Sequence, residues 1–267
     1  MTGILEGITK DHRSPVPDLL YEAEQIRRLE EIRDLIQQPQ ALNSATPLHR
    51  LTVFLTYRCN LACPYCKTIS RSPAEFQQFP QKAGFFDQAA FDSLLASHQG
   101  TPIQHLHLTG GEATLIPGLP EMIARAKAAG VRHVSLTSNG VQAPELYRRL
   151  IEAGLDELRI SLDAATPETG EALTLRPRAW PKTIRTLQAL RQYRVEGLSF
   201  FLIINSVITS LNRAQLPAFL TFVEATCAPD DIKLITEVDS KADLADFPEY
   251  AEVLQGLKRF LEQAPAW

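Results

Sequence analysis

The sequence predicts an α/β protein built on a parallel β-sheet, and two observations support this prediction. Six runs rich in Val, Ile, Leu and Phe alternate with helical patterns along the chain, which is the order of a parallel sheet with right-handed crossovers. The composition of these runs is typical of strands buried on both faces. With 267 residues, 45% of them hydrophobic, the chain can bury the core of one such domain.

The first 49 residues form an N-terminal arm and an amphipathic helix in this interpretation, and residues 50–267 form the core domain. Apolar residues recur at three- and four-residue steps over Asp18–Gln38, which indicates a helix with one buried stripe. A last helical pattern near Tyr250–Glu262 closes the chain. No internal repeat or linker divides residues 50–267.

Strands and helices alternate between these two ends. The expected strands are Leu51–Thr56, Ile103–Thr109, His133–Ser138, Glu157–Ser161, Phe200–Val207 and Ile232–Ile235. The helical patterns between them are Gln88–Ser97, Leu119–Ala129, Pro144–Ala153, Pro181–Arg194 and Gln215–Thr226. Gly130, Gly154 and Gly197 follow helical stretches, where a left-handed C-cap is needed.

Charge and hydropathy exclude several classes of protein. The net charge is −4 and the pI is near 5.9, which argues against nucleic-acid binding. No apolar run reaches the ~18 residues that span a membrane, and the first residues lack the core of a signal peptide. We therefore expect a cytoplasmic protein without membrane or nucleic-acid partners.

Three of the four cysteines, Cys59, Cys63 and Cys66, lie directly after the first strand with the spacing C-x3-C-x2-C. Pro64 between them favours a loop over a helix, and clustered thiolates bind soft metals. Zinc sites combine four Cys or His ligands, usually in pairs, and no second pair is present. A [4Fe–4S] cluster normally takes four thiolates, so three leave one iron open. A zinc site and three small buried core residues remain alternative interpretations of this cysteine motif.

This loop resembles the signature of radical S-adenosylmethionine (SAM) enzymes, C-x3-C-x-Φ-C, with Tyr65 as the aromatic Φ. The resemblance implies a partial (β/α)6 barrel of the TIM type with an N-terminal helical extension. It implies one [4Fe–4S] cluster on Cys59, Cys63 and Cys66, with SAM on the fourth iron. Reductive cleavage of SAM then gives a 5′-deoxyadenosyl radical that abstracts hydrogen from a substrate.

The ends of later strands resemble other motifs of this family. Gly110-Gly111-Glu112 resembles the GGE motif, whose backbone carbonyl and carboxylate receive the SAM ammonium group. Ser138 and Asn139 resemble a corner beside the ribose and methionine of SAM. Either of these motifs could also be a plain turn.

The fourth strand ends in Ser161-Leu162-Asp163, which resembles an S-x-D strand end in which the serine binds the SAM carboxylate. Asp163 could instead cap the following helix. Arg176, or else Arg178, would grip the same carboxylate, and Asn205 resembles a residue near adenine. Cys227 is expected to be a packed core residue, so no auxiliary cluster is expected.

The core resembles the branch of molybdenum-cofactor cyclases and peptide maturases, although the second cysteine trio of such a cyclase is missing. We therefore expect a small-molecule substrate, with a ribosomal peptide as the alternative, and an external one-electron donor of the flavodoxin or ferredoxin type. A non-catalytic iron–sulfur electron carrier is disfavoured, because it has no use for Glu112. A SAM-binding regulator without turnover stays open.

Overall fold

The computed structural model describes residues 48–66, 86–98 and 103–236, together with Lys258. The expected N-terminal helix lies outside these residues, and so does the expected C-terminal helix apart from Lys258, which is helical. The division at residue 49 stays a prediction.

Six parallel strands form one sheet in which the spatial order is the chain order. They are β1 (Arg50–Phe54), β2 (His105–Thr109), β3 (His133–Ser138), β4 (Glu157–Ser161), β5 (Phe201–Ile208) and β6 (Asp231–Thr236). β3 and β4 have the predicted bounds, and the ends of the other strands differ by one or two residues. The sheet is open, with β1 and β6 as its edges among the described residues. The predicted α/β class is confirmed.

Helices connect successive strands. They are α1 (Gln88–Ser97), α2 (Leu119–Ala128), α3 (Pro144–Glu152), α4 (Pro167–Thr174), α5 (Ala179–Val195) and α6 (Leu216–Cys227), with 3₁₀ turns at Ala113–Leu115 and Arg213–Gln215. Backbone φ angles of +89°, +104° and +96° at Gly130, Gly154 and Gly197 confirm the predicted C-caps. In the described ranges, no helix is long and apolar enough to cross a membrane.

Helix α4 is absent from the sequence-based prediction. It is short and contains Gly170, and a mid-helix glycine weakens the helical signal. The structure explains this glycine, because a Cβ atom there would lie 2.3 Å from Cδ1 of Trp180. Close packing on Trp180 therefore outweighs helix propensity at this position.

The two faces of the sheet have different environments. Alternate residues such as Leu106, Leu136, Leu158 and Ile160 are fully buried in one core with the helices. The residues between them face away from these helices, and on β2, β3 and β4 they are mostly polar. The core therefore lies between the sheet and the helices. The opposite face of the sheet, here called the inner face, is polar, and the carboxyl edge of the sheet carries the loops that contain the predicted site residues.

Candidate cofactor site

The cysteine loop leaves the carboxyl end of β1 and is not helical, as Pro64 predicts. The Cys66 amide donates to the Cys63 carbonyl at 3.1 Å, which makes a single turn. All three thiols are half-buried. The loop therefore presents its cysteines at the edge where functional groups of parallel sheets gather.

The three thiols influence one another electrostatically. Burial raises the pKa of Cys59, and the neighbouring Glu112 and Cys66 raise it further. Burial likewise raises the pKa of Cys63 to about 11, with contributions from Asp163 and the other two cysteines. No three His, Cys, Asp or Glu side chains in the described ranges are arranged to hold one metal ion. Thiolates of an iron–sulfur cluster bind different irons.

Two glycines bring the end of β2 against the start of the cysteine loop. The Gly111 amide donates to the Thr56 carbonyl at 2.6 Å, and the Glu112 amide donates to the Arg58 carbonyl at 2.8 Å. A Cβ atom would lie 2.4 Å from the Thr56 oxygen at Gly110 and 2.3 Å from the Arg58 oxygen at Gly111. Only glycine permits this approach, so the pair is more than a turn.

Glu112 is buried, with only 1% of its surface exposed. Its Oε1 accepts hydrogen bonds from the Thr114 amide at 3.0 Å, the Thr114 hydroxyl at 2.5 Å and the Ser138 hydroxyl at 2.9 Å. Its Oε2 accepts from the Asn139 amide at 2.7 Å. Burial raises the pKa of Glu112, although these hydrogen bonds oppose the rise. The carboxylate is thus occupied with tying β2 to β3.

Ser138 and Asn139 point in different directions. The Ser138 side chain is buried and bonds Glu112 and the Tyr147 hydroxyl. The Asn139 Nδ2 instead lies 3.8 Å from the Cys59 sulfur and donates to the Asn60 Oδ1 at 2.6 Å. Of this pair, Asn139 is therefore the side chain that reaches the cysteine loop.

Ser161 and Asn205 are register partners on β4 and β5. The Asn205 carbonyl accepts the Leu162 amide at 3.0 Å. The Asn205 Oδ1 is buried and has no hydrogen-bond partner in the part of the chain that the structure describes. Because such an acceptor is costly to leave unpaired, it is suited to a ligand that donates a hydrogen bond.

Tyr65 and Asp163 join the cysteine loop to β4. The Tyr65 hydroxyl donates to Oδ2 of Asp163, and the Val207 amide donates to Oδ1 at 2.7 Å. Burial raises the pKa of Asp163 to about 6 against the pull of both bonds. The alternative role as a helix cap is wrong, because Thr166 caps α4 by accepting the Thr169 amide. This pair is not evident from the sequence, because its two members lie 98 residues apart.

Arg176, Arg178 and Cys227 lie apart from these contacts. Both arginines are exposed between α4 and α5, and the Arg178 amide donates to Glu171 at 2.7 Å. Their roles stay predictions. Cys227 is fully buried in the core, where its thiol contacts the Val223 carbonyl at 3.4 Å, as expected of a packed residue.

A chain of hydrogen-bonded polar side chains on the inner face of the sheet was not predicted from the sequence. Ser135 bridges His105 and His107, at 2.7 Å from each ring, and Thr137 lies 3.3 Å from the far nitrogen of His107. Burial, assisted by neighbouring positive charge, lowers the pKa of both histidines to about 4. The alternation His-Leu-His-Leu in β2 was the signal that could have revealed this face.

A second polar group continues the chain. Glu157 accepts hydrogen bonds from Arg159 and from His133, the latter at 3.3 Å. The His133 ring also packs edge-on against His105, with the centroids 4.6 Å apart. The inner face of β2, β3 and β4 is therefore hydrogen-bonded along its length.

Residues 53–223 match the radical SAM superfamily. The chain belongs to this superfamily. Its members are enzymes that use a [4Fe–4S] cluster and SAM, so the expected family and cofactors are confirmed.

Two relatives of the chain are cyclases. A probable GTP 3′,8-cyclase from Metallosphaera sedula is 30% identical over 179 residues, which are 67% of this chain and 52% of that protein. A PqqA peptide cyclase from Methylorubrum populi is 30% identical over 62% of this chain and 40% of its own length. The radical SAM chain therefore spans about half or less of these relatives.

The fold resembles solved radical SAM structures. Streptococcus suis SuiB bound to S-adenosylmethionine aligns with a TM-score of 0.61 at 16% identity, over 92% of this chain and 51% of SuiB. The likeness, together with the open six-stranded sheet, confirms the predicted partial barrel.

The residues at the carboxyl edge fit the cofactors of a radical SAM protein. Three thiols on one loop suit a cluster that keeps one iron open. The glycine pair packs the end of β2 directly against the start of the cysteine loop, and the buried Asn205 Oδ1 is an acceptor without a partner in the described ranges. Soft ligands and hydrogen-bonding groups thus lie at the carboxyl ends of strands of the same sheet, as a cluster with a bound polar cofactor requires.

Proposed function

We propose that this chain is a radical SAM enzyme that binds one [4Fe–4S] cluster through Cys59, Cys63 and Cys66 and acts on a small polar molecule. The observation that carries the proposal is the position of three mutually interacting thiols beside the backbone cradle of Gly110 and Gly111. When reduced, the bound cluster supplies the electron that splits SAM into methionine and a 5′-deoxyadenosyl radical, which abstracts hydrogen from the substrate.

The residues around the loop take complementary roles in this proposal. Backbone carbonyls of Gly110 and Gly111 accept from the SAM ammonium, because a cation needs acceptors and the glycines permit close approach. Glu112 keeps this backbone in place through its buried hydrogen bonds. Asn139 orients the first cysteine, and Tyr65 forms a wall beside the last.

Groups on β4, β5 and the loop after α4 bind the rest of SAM. Ser161 donates to the methionyl carboxylate, and Arg176, or else Arg178, neutralises it, because a guanidinium grips a carboxylate in a planar fork. Asn205 offers its buried Oδ1 to a donor group such as the adenine amine.

The polar inner face supports a small polar substrate. Interiors of closed barrels are usually filled by bulky apolar side chains, whereas β2, β3 and β4 here present His105, His107, Ser135, Glu157 and Arg159. Arg50 and Lys233 at the open edges are exposed. Within this face the partly exposed side chains of His105, Thr137 and Arg159 are the groups available to a ligand rich in hydrogen-bonding groups.

A ribosomal peptide is the second candidate substrate. Two similar proteins have names that point to peptides, a PqqA peptide cyclase and SuiB, which was solved with its precursor peptide SuiA. The exposed Phe54 and Tyr57 rings, stacked with centroids 6.2 Å apart beside the cysteine loop, offer an apolar contact for such a chain. In either case the electron comes from an external donor of the flavodoxin or ferredoxin type.

Anaerobic reconstitution with iron and sulfide tests the proposal. The wild-type chain should bind about four irons and release 5′-deoxyadenosine from SAM after reduction with dithionite. Replacing Cys59, Cys63 or Cys66 by Ala should abolish both results. A chain that binds the cluster but does not cleave SAM would indicate a SAM-binding regulator without turnover. An Ala variant with full turnover would contradict the assignment of the three cysteines as cluster ligands.

A further inference from the structure

Asp163 makes a contact that the proposed chemistry does not use. Its Oδ2 accepts the hydroxyl of Tyr65, which lies 98 residues earlier in the chain, between Cys63 and Cys66. The other carboxylate oxygen accepts the Val207 amide of β5 at 2.7 Å. This one carboxylate therefore joins the cysteine loop to the carboxyl ends of two strands.

The Asp163 backbone is held as firmly as its side chain. The side-chain Nδ2 of Asn212 donates to the Asp163 carbonyl and to the Val207 carbonyl, each at 2.8 Å. The Asn212 Oδ1 accepts the Thr209 amide at 2.7 Å. Because Asn212 is itself buried, this arrangement fixes Asp163 before any cofactor is present.

The cysteine loop has other attachments, and they lie nearer its beginning. The Glu112 amide bonds the Arg58 carbonyl, and the Ala62 amide donates to the Thr174 carbonyl at 3.0 Å. Asn139 lies against Cys59. The Tyr65 hydroxyl ties the second half of the loop, which contains Cys63 and Cys66, to Asp163 at the end of β4, 98 residues away.

We propose that Asp163 is a positioning residue that holds the second half of the cysteine loop in its cluster-binding conformation through the Tyr65 hydroxyl. A hydrogen bond to a carboxylate is shorter and stronger than one between neutral groups, which suits a contact that must hold a loop on a rigid strand end. The inference rests on the proposed cluster site, and it assigns to Tyr65 a structural hydroxyl in addition to its ring.

Four variants separate this role from general stability. Tyr65→Phe removes the hydroxyl and leaves Asp163 in place, whereas Asp163→Ala removes the acceptor of both the Tyr65 hydroxyl and the Val207 amide. Asp163→Asn keeps an oxygen for Val207 and an amide for the phenol oxygen. Asp156→Ala is the matched control, because Asp156 sits just before β4 and its side chain also accepts a backbone amide at 2.7 Å, from Val134.

The first measurement uses the cluster-free protein. Hydrogen exchange in a peptide that covers residues 59–66 should speed up about tenfold in Tyr65→Phe and Asp163→Ala, which corresponds to the loss of one charge-assisted bond. The double variant should match Asp163→Ala, since Tyr65→Phe removes a bond that Asp163→Ala has already lost. Asp163→Asn should restore most of the protection, and Asp156→Ala should lower the melting temperature without changing exchange in this peptide.

The second measurement uses the reconstituted protein. An iron chelator should remove the cluster about tenfold faster from Tyr65→Phe and Asp163→Ala than from wild type, and the change that SAM causes in the electron paramagnetic resonance spectrum of the reduced cluster should weaken. Wild-type exchange and chelation rates in both variants, or strictly additive effects in the double variant, would overturn the proposal. Should wild type take up no cluster, the proposed function fails, while exchange still decides the role of Asp163. Should Asp163→Ala not fold, Tyr65→Phe alone decides it.

Discussion

The Glu112 carboxylate accepts a 2.7 Å hydrogen bond from the backbone amide of Asn139, and this contact couples the ends of β2 and β3. The same carboxylate holds Ser138 and Thr114. Asn139 in turn reaches Cys59. The buried Glu112 thus directly follows the glycine backbone that is proposed to bind SAM. It also supports Asn139, which contacts the proposed cluster ligand Cys59.

Replacing Glu112 by Ala should damage both folding and SAM binding. The change leaves several buried donors without an acceptor, so we expect the free energy of unfolding to fall by about 2–4 kcal/mol. Because Asn139 and the glycine backbone lose their support, SAM affinity should fall about tenfold or more. Urea unfolding and titration with SAM measure the two effects. Exposed Glu121 is the control, and Glu121→Ala should change neither; a Glu112→Ala chain of wild-type stability would contradict the network.

Replacing Gly111 by Ala should reduce cluster content. Its new Cβ would lie 2.3 Å from the Arg58 oxygen, so the start of the cysteine loop must move, at a cost of about 1–3 kcal/mol. Iron and sulfide analysis after reconstitution should show less cluster per chain. Gly130→Ala is the matched control, since φ is +89° there with open space around the Cβ: it should lose about 1 kcal/mol of stability and keep its cluster.

The Cys227→Ala variant should keep its iron. Three of the four cysteines are in the loop, and Cys227 is buried in the core with its pKa raised by burial to about 12. We expect about four irons per chain in both wild type and variant, with a packing loss of roughly 1 kcal/mol. About eight irons per reconstituted chain, or loss of half the iron in the variant, would refute a single cluster.

Glu157 should stabilise the fold above pH 4.5 and lose this effect in acid. Burial raises the pKa of Glu157, but hydrogen bonds from His133 and Arg159 outweigh it and lower the pKa from 4.5 to about 2. A depressed carboxyl pKa stabilises the folded chain above the unfolded pKa, so Glu157→Gln should lose about 2–3 kcal/mol at pH 7. The deficit should shrink as the pH falls from 4.5 towards 2.

Urea unfolding of the cluster-free protein at several pH values checks this dependence. Glu152→Gln is the comparison, because Glu152 pairs with Arg148 on the exposed surface and such pairs contribute little. A deficit for Glu157→Gln that stays constant from pH 7 to pH 3 would show that the glutamate acts by shape and not by charge.

Much of the fold could be predicted because buried parallel strands are apolar runs that glycines and prolines interrupt. The bounds of β3 and β4 came directly from this pattern. Helix α4 did not, because Gly170 there serves the packing of Trp180, a contact between distant elements that local pattern does not encode.

The cysteine loop and the glycine pair were recognisable because their spacing is local. The roles of Glu112 and Asp163 were not, since each depends on partners far along the chain, Asn139 in one case and Tyr65 in the other. The polar inner face could not be predicted for a related reason. His105 and His107 alternate with the apolar Leu106 and Leu108, and only the sheet register places these histidines beside the polar residues of β3.

The chain-order arrangement of the sheet has a consequence for biosynthesis. A ribosome that makes this chain releases the three loop cysteines before β2, and the residues that anchor them follow much later, Asn139 80 residues after Cys59 and Asp163 98 residues after Tyr65. Each new strand adds to the growing edge of a partly formed sheet, because domains fold from the N-terminal end during synthesis. Until β4 has joined the sheet, the three thiols therefore lack these contacts and can react with oxygen or with other metal ions. We expect iron and sulfide to be inserted only after β4 has joined the sheet.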